Sequence, residues 1–171
     1  RDKDAVRRQL GYLPQDFGVY DRLTAREFLA YFGRLKGLGG RGLASRIDEM
    51  LELVNLRGAA DRRLGRYSGG MRQRVGIAQA LLGDPRLVIV DGVLIMDDDT
   101  APLSALAKLC TAQDAWLMVD DAHGFGVLGE HGVGSTEAAG LDASAVPVLM
   151  ATLGKALGTA GESGRASSRD R

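Results

Sequence analysis

A single cysteine, Cys110, is all that the 171 residues offer, so no internal disulfide can brace the chain. No apolar run reaches the roughly 18 residues of a membrane-spanning helix, and no secretory leader pattern is present. A reduced, cytoplasmic setting without direct membrane insertion is therefore expected. Histidine is almost as scarce, and His123, His131 and Cys110 do not fall at zinc-ligand spacing. Asp97, Asp98 and Asp99 stand without further oxygen ligands at calcium-loop spacing and read as a solvated turn. Arg62, Arg63, Arg66, Arg72 and Arg74 lack interleaved aromatics, which points to a solvated basic face and away from nucleic acid. No internal repeat is visible.

What is present is unevenly spread. The net charge of zero conceals +7 over residues 1–90 (17 Lys+Arg against 10 Asp+Glu) and −7 over residues 91–171 (5 against 12). All tyrosines lie before that point, and both histidines, Trp116 and Cys110 lie after it. The apolar content of 45% is that of a globular protein, and a first residue that is not Met marks the chain as a candidate fragment.

Local pattern predicts an α/β chain. Thr24 and Glu27 form a capping box ahead of a stripe made by Phe28, Leu29, Phe32 and Leu35, closed by Gly37. A second helix is expected from about Ala44 to Leu56, with Gly58 as its stop. Ser68 caps a third, which shows Met71, Val75, Ala78 and Leu82 on one face and ends at Gly83 and Pro85. RLVIVD is a short β-branched run suited to a strand buried on both faces of a parallel sheet. Pro102 suits the first turn of a helix to about Gln113, and AWLMVD and VPVLMAT are two more strands. ESGRASSRDR has no apolar period and is expected to be disordered.

LGYLPQDFGVYDRLTAREFL followed by YSGGMRQRVGIAQALLGDPRLVIVD resembles the nucleotide-binding domain of ATP-binding cassette transporters, with its motifs in that family's order. The resemblance implies that Gln15 touches magnesium and the attacking water. It makes Ser68, Gly69 and Gly70 the signature motif and Asp91 the end of the Walker B strand, serving ATP and magnesium. A partner ATPase or a permease is implied as well. The signature has its own logic, since glycines at a helix N-terminus let N–H groups approach a phosphate that the helix dipole favours. No G-x-x-x-x-G-K-[ST] loop occurs in these residues, and Gly92 stands where the resemblance expects a glutamate.

DGVLIMDDDTAPLSALAKL, AWLMVDDAHGFGVLGEHGVGS and ATLGKALGTAG resemble, in order, the large domain of pyridoxal-phosphate-dependent α-oxoamine synthases, which have the aspartate aminotransferase fold. These enzymes condense an amino acid with an acyl-CoA and lose carbon dioxide, commonly as homodimers. The resemblance implies that Lys155 attaches pyridoxal 5'-phosphate as a Schiff base and Asp120 pairs with its ring nitrogen. It gives His123 the ring oxygen and Thr152 a share of the phosphate. A lysine near a carbonyl cofactor and a carboxylate that keeps the ring protonated suit carbanion chemistry. GLGGRG at 37–42 and GFGVLG at 124–129 lack the context of a dinucleotide site.

The whole therefore reads as a hybrid. Residues 1–90 are expected to be a mainly helical ATPase fragment, 91–161 a partial synthase α/β segment and 162–171 a tail. Asp91 serves both patterns, and the seam is placed near residues 88–92. No complete active site is expected, with Schiff-base chemistry at Lys155 or a nucleotide-responsive signature surface as the surviving activities.

Overall fold

The computed structural model describes residues 3–13, 20–93, 102–158 and 161–166. The chain divides into two compact units, Arg1–Arg86 and Leu87–Arg171. Asp97, Asp98 and Asp99 lie outside the described residues, as does Gln15.

The first unit is mainly helical: α1 Lys3–Arg8, β1 Leu10–Leu13, α2 Ala25–Leu35, α3 Gly40–Leu53 and α4 Gly69–Leu81. Thr24 accepts from the Glu27 N–H at 3.1 Å while Glu27 accepts from the Thr24 N–H at 2.8 Å, so the predicted capping box forms. Helices α2, α3 and α4 pack on one another around Phe28, Leu29, Met50, Leu51, Ile77 and Leu81, each at most 2% exposed. Each such side chain contributes about 1.5–3 kcal/mol by leaving water, more than a cap does, so the helix faces and not the caps dominate this unit. Polar ties finish the packing. Arg26 meets Asp48 at 2.6 Å between α2 and α3, and Arg46 donates to the carbonyls of Leu81 and Leu82 at the electronegative end of α4.

Three details depart from the sequence reading. Helix α3 begins four residues before Ala44, entered from an extended Gly39, and ends at Leu53 because Asn55 turns left-handed at φ 55°. Asn tolerates that conformation, so Gly58 is not needed as a stop. Leu35 is 65% exposed, since the apolar stripe of α2 turns outward in its last turn. Helix α4 is buried all round from Val75 to Leu81, including Gln79, which hides the one-sided pattern expected of it.

The second unit contains β2 Leu87–Asp91, α5 Leu103–Ala112, β3 Trp116–Asp120, α6 Ser135–Ala138, β4 Val148–Thr152 and β5 Glu162–Ala166. Strands β2, β3 and β4 are parallel neighbours. Val88, Val90, Leu117 and Val119 are fully buried while the alternate residues of β2 and β3 are only half-buried. One face is thus sealed and the other is partly open among the described residues, where burial on both was expected.

The expected tail also differs over its first half. Glu162–Ala166 pairs antiparallel with β4, Glu162 opposite Thr152 and Ala166 opposite Val148. All five of its residues are exposed, so it is held by backbone hydrogen bonds that satisfy the edge of β4. An apolar period could not announce it.

Candidate functional site

Parallel strands bring their C-terminal ends to one edge, and here that edge collects most of the predicted residues. Asp91 and Asp120 are register partners at the ends of β2 and β3, and Asp120 is also opposite Met150 of β4. The ladder runs one residue further, with the Gly92 N–H donating to Asp120 O at 2.8 Å and the Asp121 N–H to Met150 O at 2.7 Å. Thr152 closes β4 two residues beyond Met150.

Two turns leave this edge and meet. His123 lies in the turn after β3, Lys155 in the turn after β4, and Lys155 Nζ stands 2.6 Å from His123 Nε2 and 3.4 Å from Nδ1. Both side chains are exposed. The Lys155 turn is fastened by Gly158 N–H donating to Lys155 O at 3.2 Å and by Leu153 N–H donating to Gly161 O at 3.0 Å. Thr152 Oγ1 accepts from the Gly154 N–H at 3.3 Å and donates to Gly161 O at 3.4 Å. Asp120 Oδ1 accepts from the Ala122 N–H at 3.1 Å. Lysine and imidazole are therefore in contact, while Asp120 and Thr152 flank them on the strand ends and bond to their own turns.

The residue that sequence reasoning passed over is Asp121. It is fully buried. Its Oδ2 accepts from the Ser135 N–H at 2.7 Å, and its carbonyl accepts from Gly124 and Phe125. Burial pushes its carboxyl above the ordinary aspartate range, against the pull of the Ser135 donors. Its Oδ1 and the Ser135 hydroxyl are buried without a well-formed hydrogen bond among the described residues. Space for this group is made by glycine: a Cβ at Gly92 would strike Ser135 Oγ and Asp121 Oδ1, and one at Gly134 would strike Asp121 Oδ2. Gly134 also sits at φ 107°, closed to other residues. The available signal was the loop's glycine content.

Above Asp121 the glycine loop is gathered by a second carboxylate. Glu137 accepts from the N–H groups of His131 and Val133 at 3.1 Å each and meets His131 Nδ1 at 2.6 Å. The His131 contact, chiefly, holds the Glu137 carboxyl below its usual range.

In the first unit Ser68, Gly69 and Gly70 open α4 as an exposed stretch, with Ser68 Oγ accepting from the Met71 N–H at 3.3 Å. The surrounding arginines have local partners. Arg72 meets Asp21 at 3.1 Å, Arg74 donates to Gly70 O at 3.2 Å, and Arg62 donates to Arg66 O and lies over the Tyr67 ring. A hollow of about 330 Å³ in this unit, lined by Leu38, Gly42, Arg46, Leu82, Gly83 and Asp84, contains none of the predicted site residues. Among the described residues no His, Cys, Asp or Glu group is arranged for a metal, and no helix is long and apolar enough to cross a membrane.

The family model for ABC transporters matches residues 1–94, and that for class I and II aminotransferases matches residues 55–165. The chain belongs to both families. It is a hybrid, and the two matches share residues 55–94. The 8-amino-7-oxononanoate synthase of Thioalkalivibrio sulfidiphilus is 48% identical over 147 residues, 80% of the hybrid and 37% of the synthase. The ABC transporter ATP-binding protein YxlF of Bacillus subtilis is 48% identical over 105 residues, 61% of the hybrid and 36% of that protein. A solved ATP-binding subunit of an ABC transporter superposes with a TM-score of 0.56 at 26% identity, over 69% of the hybrid and 50% of that chain. The hybrid thus spans little more than a third of the curated relatives it matches.

Proposed function

We propose that these 171 residues hold pyridoxal 5'-phosphate at Lys155 and complete neither parent's turnover by themselves. The observation that carries this reading is the 2.6 Å contact between Lys155 Nζ and His123 Nε2, at the edge where open α/β sheets take their ligands. The donor set fits such a cofactor: a primary amine for its carbonyl, an imidazole beside the amine, a carboxylate in Asp120 for a ring nitrogen, and a hydroxyl in Thr152 for a phosphate. When bound, the cofactor supplies an electron sink for carbanions.

The chain's own residues would divide the remaining work. His123 touches the amine and would take up and return a proton at Lys155 Nζ. Asp120, kept at the strand end by its bond from Ala122, would hold a positive ring nitrogen. Thr152 and the Gly154 N–H would face the phosphate. The relatives' names make the parent activity that of 8-amino-7-oxononanoate synthase, and the homodimeric, cytoplasmic setting implied by the family resemblance is part of this proposal. Incubating the chain with pyridoxal 5'-phosphate, reducing with borohydride and mapping the adduct should place it on Lys155. An unlabelled Lys155 overturns the reading.

A second reading concerns the first unit. The exposed N-terminus of α4 favours a surface through which Ser68, Gly69 and Gly70 contact a nucleotide held by a partner ATPase of a transporter. Gln15 and Asp91 would then serve ATP and magnesium. Hydrolysis by these residues alone is not proposed, because Gly92 leaves the end of β2 without a carboxylate at the next position. Nucleotide-dependent association with an ABC ATPase is expected, and its absence rejects this reading.

A further inference from the structure

Two functional turns depend on one buried group that touches neither reactant. The Asp121 main chain donates to Met150 O of β4, whose continuation carries Lys155, and accepts from Gly124 and Phe125, which close the turn carrying His123. Its carboxylate reaches across to Ser135 N–H at 2.7 Å, the far end of the glycine loop, ten residues after Phe125. Bonds within the loop, Gly126 N–H to Gly132 O and Gly134 N–H to Leu128 O among them, close it on itself, and Glu137 gathers His131 and Val133. The Asp121 carboxylate therefore anchors the loop to the sheet edge. A Cβ at Gly92 or at Gly134 would strike one of the Asp121 carboxylate oxygens.

We propose that Asp121 is a positioning residue, whose carboxylate fixes the turn of His123 so that the imidazole meets Lys155. The inference rests on the reading of Lys155 as the cofactor-holding amine. A buried acceptor that satisfies a buried N–H is costly to remove, since the donor is then left unpaired. Small misplacements of a reacting pair are also amplified in rate. Both effects make Asp121 a residue that acts through His123 without touching a ligand.

The test uses the ligand-free full chain first. With only two histidines, His131→Gln leaves the ring signals of His123 alone in the NMR spectrum. Wild type should show a nuclear Overhauser contact between the His123 ring and the Lys155 side chain, and Asp121→Asn, which keeps an acceptor, should retain it. Asp121→Ala should lose it while the amides of Val119 and Leu149 stay protected from exchange. Ser135→Pro removes the donor from the other side, at a helix position where proline is tolerated, and should give the same loss. Borohydride trapping at Lys155 should fall roughly tenfold in Asp121→Ala and recover in Asp121→Asn.

Retention of the His123–Lys155 contact in Asp121→Ala or Ser135→Pro overturns the proposal. So does loss of strand protection together with the contact in both variants, which would make Asp121 a folding determinant only. Failure of wild type to trap the cofactor sinks the reading of Lys155 instead, and leaves the contact measurement to decide on Asp121.

Discussion

The two units bury different things. Residues 3–86 enclose an apolar set between helices, with Gln79 as the one buried polar side chain among those described, and keep their ion pairs at the rim. Residues 87–166 enclose a smaller apolar set on their sheet, and beside it a polar knot of Asp121, Ser135 and Thr136. The first arrangement is stabilised by volume and the second by geometry. Apolar packing tolerates exchange of one hydrophobe for another, whereas a buried carboxylate tolerates little. Buried polar groups that carry no stabilising surplus point to a local task, and this one lies next to the residues expected to hold a cofactor.

The sharpest way to break that contrast is Gly92→Glu. The new side chain would enter the space of Asp121 Oδ1 and Ser135 Oγ and bury a second carboxylate there, and a loss of about 3 kcal/mol or more is expected. Urea unfolding followed by the fluorescence of Trp116, which lies on β3, measures it. An unshifted midpoint would show that the knot is loose. Leu51→Ala, in the core of the first unit, should cost about 3 kcal/mol. All four tyrosines lie in that unit and report on it, so movement of the Trp116 signal with theirs would erase the distinction between the units.

Thr24→Ala removes one half of the capping box and should lower the tyrosine-detected stability by about 1 kcal/mol. The smallest effect is expected from Glu137→Gln. Since the folded carboxyl titrates below the ordinary 4.5, wild type keeps that contribution at neutral pH and loses it as pH falls through the depressed value. The variant should show a flatter acid limb in a melting-temperature profile, and identical limbs would mean that the His131 contact is inconsequential.

Much of this was legible in the chain itself. Thr24 and Glu27 announce α2 because a cap is a local bond between neighbours, and the apolar runs before Asp91 and Asp120 announce β2 and β3. Lys155 and His123 were named from motif order and lie in contact, although only the fold could supply their 2.6 Å separation. What escaped has a common physical cause. Strand β5 is made by backbone bonds alone, α6 is only one turn, and α3 stops at an Asn in a glycine-like conformation. Asp121 escaped because its burial depends on absent side chains at positions 29 residues before it and 13 after it, a pattern with no period.

The crowding over Gly92 also bears on how such a chain can change. A strand ending in Asp91 suits the patterns of both families, whose matches overlap there. Position 92 does not share that neutrality, because its empty side is already occupied by groups from elsewhere in the second unit. A carboxylate useful to a nucleotide can be introduced only after Asp121 and Ser135 have given way, and they hold the neighbouring turn. Placing a carboxylate at position 92 therefore calls for accompanying changes at Asp121 and Ser135, and not for one substitution alone.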